Sequence, residues 1–473
     1  AYQAMPKEQR ADLHERFAEW LERAAGERAA EYEEILAHHL EQAYRYRIEL
    51  GTIDDRARAL GGDAAAHLRS SADRALDRGD FSGARQMLTR AAEISEGGLR
   101  ALVLIELAIA LVELQDYPGA AQVADEATAV AEVSGDRAYV LRAAVIRTEA
   151  RGQFDPTHTL ARTRREVDEA LEKLRAIGDD DGIVLALLSA SRMAFFTGRC
   201  DRSREICEQL LERAARLPSR FRREIGIQLA VASYYGAATV EEAHRLGDIA
   251  RSLQPESLLQ EATTGIHHIG VLAMEGREED FDREIERVKR LWDEIGDPTR
   301  IVTRAQGLGE GYRLLGRPEL AEKQFRAGMA AFDQLGETGF NSTMTALLAL
   351  SLCDQGRFDE AETYVARSRD LGAEDDFATQ SAWRIGDALV RSHRGDHDGA
   401  LSLADQAVAI IADTDYLVWQ GDVHEVRGMV LANAGRRDEA QAAFQEAMSR
   451  YERKGVVPAV ARIRERLADI EIR

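Results

Sequence analysis

A chain of 473 residues is too long for one ordinary hydrophobic core, so it holds either several domains or a repeat that grows along one axis. Its 45% hydrophobic and 31% charged residues make a foldable composition, and its net charge of −21 sets the bulk field against phosphate backbones and anionic membranes. Three cysteines without a Cys-x-x-Cys spacing argue against a disulfide framework and for a reducing, cytoplasmic setting. Only 8 prolines occur, and Ala, Leu, Glu and Arg dominate, which favours helix over sheet. The most apolar run, Leu99 to Leu114, is broken by Arg100, Glu106 and Glu113, so no membrane span is expected.

In chain order, the first seven residues carry neither an initiator Met nor a signal-peptide core, and the chain is expected to be cut from a longer protein. Residues 6–22 read as an amphipathic helix with Leu13, Phe17, Trp20 and Leu21 on one face, and a second helix contains Ile35 to Ala43. From there a short phrase recurs. It reads Gly79-Asp80-Phe81-Ser82-Gly83-Ala84, returns as Gln115-Asp116-Tyr117-Pro118-Gly119-Ala120, and is seen in part at Gly152-Gln153-Phe154 and Gly198-Arg199-Cys200. The clearest copies are late and end on Ala321, Ala361, Ala400 and Ala440, in steps of 40, 39 and 40. Gly closes one helix, the acidic residues suit the start of the next, and the Ala lets two helices approach. A second punctuation mark, as in Ser134-Gly135-Asp136, Ile177-Gly178-Asp179, Ile295-Gly296-Asp297-Pro298 and Leu335-Gly336, ends each hairpin.

These residues resemble tetratricopeptide (TPR) repeats, with Gly309, Tyr312, Ala321, Phe325 and Gly328 matching in one copy and Gly428, Leu431, Ala440, Phe444 and Ala447 in another. The period near forty is longer than the standard 34. The resemblance implies an all-α, TPR-like helical-hairpin solenoid, a right-handed superhelix in which each hairpin touches only its neighbours. The expected organisation is a helical junction over 1–62, about ten repeats over 63–455 and a capping helix over 456–473. The phrases Leu13-His14-Glu15-Arg16 and His38-His39-Leu40-Glu41-Gln42-Ala43 are similar to the junction after the ATPase and winged-helix parts of bacterial STAND-type regulatory ATPases, of the LuxR-type or class III adenylyl cyclase-linked group.

Motifs for chemistry are missing. There is no phosphate loop, His-Glu-x-x-His or Gly-x-Ser-x-Gly, so the chain alone is expected to be no enzyme, with no catalytic, cofactor-binding or metal residues. Gly307-Leu308-Gly309-Glu310-Gly311 lies inside a repeat helix and reads as close packing rather than a dinucleotide loop, and Cys200 and Cys207 read as core thiols. The expected function is a non-catalytic sensor arm that binds a protein, a peptide or a small-molecule effector and regulates an upstream ATPase or cyclase in cis. The alternative is a freestanding adaptor between proteins. Neither nucleic acid nor membrane is an expected partner of this chain. In TPR folds the first helix of each hairpin lines the concave face. That register, carried onto the middle repeats, selects Arg192, Phe195, Gln228, Tyr235, Ile266, His267, Gln306, Glu310 and Arg313 as the binding face.

Overall fold

The computed structural model describes residues 5–51, 54–155, 157–296, 304–335 and 338–472, and every regular element among them is helical. The stop signals read at Pro298 and Gly336 lie outside the described residues. The chain forms two compact units, Ala1–Ser189 and Ala190–Arg473.

In the first unit, α1 (Lys7–Ala25) packs on α2 (Glu33–Glu49) through Ala18, Leu21 and Leu36. The buried face of α1 is Ala11, Glu15, Ala18 and Leu21, whereas Leu13, Phe17 and Trp20 stay exposed at 46%, 39% and 56%. The expected apolar face is therefore rotated. The core accepts Glu15 because Arg47 and Arg56 hold its carboxylate at 2.8–2.9 Å. Three hairpins follow: α3 (Asp55–Arg78) with α4 (Phe81–Ile94), α5 (Gly97–Glu113) with α6 (Tyr117–Ser134), and α7 (Arg137–Phe154) with α8 (Leu160–Ile177).

The repeat phrase has a local mechanism. Gly79 turns left-handed at φ 84°, and the Asp80 side chain then accepts the Gly83 N–H at 2.8 Å as the cap of α4. A side chain at position 83 would put its Cβ 2.2 Å from the Asp80 carboxylate, so the second Gly makes room for the cap. Asp116 and Asp396 repeat the bond to Gly119 and Gly399. Gln115 takes the left-handed position without being Gly, at φ 61°. The copy at Gly152 forms no turn: α7 runs through it to Phe154 and ends where Asp155, the residue before a proline in the sequence, is extended.

In the second unit the chain passes from the end of α9 (Asp180–Phe196) into α10 (Cys200–Leu211). Six hairpins follow: α11 (Ser219–Tyr235) with α12 (Val240–Ser252), α13 (Leu258–Met274) with α14 (Glu278–Ile295), α15 (Ala305–Leu314) with α16 (Pro318–Leu335), α17 (Gly339–Asp354) with α18 (Phe358–Leu371), α19 (Phe377–His393) with α20 (His397–Ile411), and α21 (Leu417–Asn433) with α22 (Arg437–Lys454). The last helix is α23 (Val457–Ile472). Ala321, Ala361, Ala400 and Ala440 have no exposed surface. A Cβ on Gly309 would sit 2.3 Å from the Phe325 ring and one on Gly428 would sit 2.7 Å from Phe444, so these glycines serve close helix packing.

Within this unit hairpins do not touch only their neighbours. The Asp415 carboxylate accepts the N–H groups of Cys200 and Asp201, at 2.8 and 2.6 Å, and so caps a helix that starts 215 residues earlier. The Tyr416 hydroxyl donates to the Phe195 carbonyl at 3.1 Å. The Lys454 ammonium, with no exposed surface, donates to the carbonyls of Ser233 and Gly236 at 2.7 and 2.8 Å. The start and end of the second unit thus meet, through polar groups that apolar packing of successive repeats does not require.

Candidate ligand cavity

The first helices of the hairpins in the second unit surround a cavity of about 430 Å³. Its wall takes Tyr234 and Tyr235 from the end of α11, Glu310 and Arg313 from α15, Leu347, Leu350 and Asp354 from α17, and Ile385 and Leu389 from α19. Trp419, Asp422 and Glu425 come from α21, Arg462 and Arg466 from α23, and Tyr416 from the turn before α21. Each side chain is there because one face of its helix points inward at a spacing of three or four residues, as Glu310 and Arg313, or Trp419, Asp422 and Val426, do.

Two polar groups stand in this wall. In the first, Glu310 accepts from the Tyr234 and Tyr235 hydroxyls at 3.2 and 3.3 Å and from the Gln306 amide at 3.0 Å. Burial pushes its carboxyl up to about 7 despite these bonds, with the Asp422 charge adding to the rise. In the second, Glu425 accepts from both nitrogens of the Arg462 fork at 2.8 Å and from Arg466 at 3.0 Å. Burial acts to raise Glu425, but the two guanidiniums and the Tyr451 hydroxyl outweigh it and hold the carboxyl below its usual range. The single Tyr451 O–H is shared with Asp422, at 2.6 Å against 3.0 Å to Glu425; burial raises Asp422 to about 6, although Arg313 and that bond act against the rise. Arg313 donates to Asp354 at 2.7 Å. An aromatic row borders the cavity: Tyr235 stacks on Tyr416 with centroids 5.6 Å apart, and Tyr416 meets Phe377 and Trp419 edge to face.

Of the residues selected from the repeat register, Tyr235, Glu310 and Arg313 line the cavity. Gln306 holds Glu310, and Phe195 packs on the rings of Tyr235 and Tyr416 at 5.5 and 6.0 Å. Ile266 and His267 are buried and outside the lining, His267 edge-on to Tyr234, and burial lowers the His267 imidazole to about 3. Arg192 and Gln228 lie apart from the lining, and both bond Glu224, at 2.7 and 2.9 Å. The register missed Tyr416, Trp419, Asp422, Glu425, Arg462 and Arg466, which the end of the unit brings in. One signal was available: Lys454 is one of 5 lysines in a chain with 62 Lys and Arg together, and it stands at the closing contact.

All three cysteines are buried, and burial pushes the Cys207 and Cys353 thiols up to about 12. Among the described residues no group of three metal-ligating side chains converges, and no helix is long and apolar enough to cross a membrane.

Helical pairs with small residues at their crossings and left-handed turns define the class: an all-α, TPR-like helical-hairpin solenoid. Residues 319–470 match the tetratricopeptide repeat-like domain, which spans α16 to α23. No curated protein matches the chain. Among solved structures it is similar to the APC/C hetero-tetramer Cut9-Hcn1, with 14% identity, 99% of this chain and 92% of that chain covered, and a TM-score of 0.49. It is similar also to yeast Tom70, at 12% identity over 86% and 96% of the two chains with a TM-score of 0.37. A third is a Rap protein complexed with competence and sporulation factor, at 11% identity over 78% and 97% with a TM-score of 0.49.

Proposed function

We propose that this chain is a non-catalytic sensor arm. Its interior cavity takes a small effector or the end of a peptide, and occupancy regulates a STAND-type ATPase or adenylyl cyclase joined ahead of the helical junction in a bacterial signalling protein. The observation that carries the reading is the shared position of cavity and closing contact. Tyr416 belongs to both: its ring lines the cavity and its hydroxyl bonds the Phe195 carbonyl. A ligand that presses on this ring bears on one of the bonds that join the two ends of the unit, which couples binding to conformation in the way a regulatory arm requires. The junction resemblance around His14 and His38-His39 supports the upstream partner. In the structure those residues form one cluster, with the ring nitrogens of His14 and His39 2.7 Å apart.

Native mass spectrometry of the purified chain, incubated with a small-molecule extract of its source cells, tests the cavity. The wild type should retain an adduct that a Tyr235→Ala, Arg313→Ala double variant of unchanged helicity loses. An identical adduct pattern in both would contradict the reading.

A further inference from the structure

The charges around the cavity do not balance at one end. Arg313 is committed to Asp354, and Arg462 and Arg466 are both committed to Glu425. Two carboxyls are left over. Glu310 is bonded only by neutral donors, the Gln306 amide and the Tyr234 and Tyr235 hydroxyls, and has no ion-pair partner among the described residues. Asp422 is bonded by the Tyr451 hydroxyl through Oδ1, while its Oδ2 accepts no hydrogen bond among the described residues. The rings of Tyr235, whose hydroxyl bonds Glu310, and of Tyr416 and Trp419 belong to the same cavity wall. Neither carboxyl forms a contact ion pair among the described residues, although the Arg313 and Arg462 charges act on Asp422, and carboxyls so placed in one wall with aromatic rings favour a bound organic cation: the ring quadrupoles attract it and the carboxylates pair with it.

We propose that the cavity binds an organic cation, an ammonium group on an apolar body, with the ammonium between Glu310 and Asp422 and the body against Tyr235, Tyr416 and Trp419. This rests on the cavity being the ligand site and names the ligand's chemistry. An anion is disfavoured, because the three guanidiniums already share carboxylates and a further negative charge would join four acids.

Proton linkage follows from the same geometry. The charged and titratable groups that line the cavity with Glu310 are Tyr234 and Tyr235 from α11, Arg313 from its own helix, Cys353 and Asp354 from α17, Tyr416 before α21, Asp422 and Glu425 from α21, and Arg462 and Arg466 from α23. With the Glu310 carboxyl at about 7 and that of Asp422 at about 6, the pair is partly protonated near neutrality. An entering ammonium favours the ionised forms and expels the proton. Binding therefore weakens as the pH falls through the Glu310 value; between pH 8 and pH 6 the protonated fraction of Glu310 alone costs about tenfold in affinity.

Isothermal titration calorimetry of the full chain tests this with three probes of one shape: phenethylammonium, the neutral 2-phenylethanol and the anion 3-phenylpropionate. The ammonium should bind at least about tenfold more tightly than either of the others, and about tenfold more tightly at pH 8 than at pH 6. Glu310→Gln, close to isosteric, should weaken it by about tenfold and flatten the pH dependence. Asp422→Asn, which keeps an acceptor for Tyr451, serves as a second variant, with thermal melts to confirm folding. A phenylalanyl peptide amide, free or acetylated at its amino end, separates a peptide terminus from a small amine as the source of the ammonium. Tighter binding of the propionate would overturn the cation assignment and leave the cavity as a ligand site. Equal binding of the alcohol, an unchanged affinity in both variants, or no binding of the ammonium at millimolar concentration would each overturn the proposal.

Discussion

His267 shows what burial does to a single titratable group in this fold. The residue is 9% exposed, and burial, with the Arg304 charge, lowers its imidazole to about 3 although a hydrogen bond with the Thr263 backbone acts against the fall. A base whose pKa is lower in the folded state takes up its proton first in the unfolded chain. Its contribution to stability is complete above the unfolded value of 6.5 and is lost as the pH falls from there toward 3. Between pH 7 and pH 5 the wild type should therefore lose about 2 kcal/mol more stability than His267→Gln, read from urea denaturation of both proteins at the two pH values. Equal losses would mean that the imidazole is protonated without cost. The repeat register placed His267 beside the concave face from its neighbour Ile266. Adjacent helical positions point about 100° apart, and both residues here are buried and outside the cavity lining.

At the scale of the helix and the hairpin, most of the structure was legible in the sequence. The Gly-Asp phrase works through bonds within six residues, so its cap and turn follow from local chemistry alone. Where Arg replaces the Asp, as at Arg357 and Arg436, the cap bond is missing and the guanidinium instead pairs with the Glu three residues on. The small residues were equally readable, because a residue without exposed surface at a crossing must be small. Ala361→Leu should overpack the crossing of α18 and lower stability by about 1–3 kcal/mol, measured by thermal or urea unfolding. A variant as stable as the wild type would show that the crossing has spare room. Part of the buried face of α1 was not legible: apolar periodicity selected Phe17 and Trp20, yet Glu15 is the residue taken inside. The partners that neutralise it, Arg47 and Arg56, lie in other elements.

Over the second unit as a whole, the part of the site that sequence could not reveal is the part made by closure. Tyr235, Glu310 and Arg313 follow from the inward face of first helices. Trp419, Asp422, Glu425 and Arg462 occupy equivalent faces of late helices, but they share a cavity with Tyr235 only because Asp415, Tyr416 and Lys454 bring residues 415–454 back to residues 195–236. No local pattern encodes a contact across 215 residues. The most direct test of this closed arrangement is hydrogen exchange at the backbone amides of Cys200 and Asp201, first-turn donors of α10 whose acceptor is the Asp415 carboxylate. In the wild type both amides should be protected. In Asp415→Ala they should exchange much faster, while Ile206 in the middle of α10 keeps its protection. Exchange at Cys200 and Asp201 that is rapid in the wild type, or unchanged by the substitution, would contradict the closed second unit and the cavity it encloses.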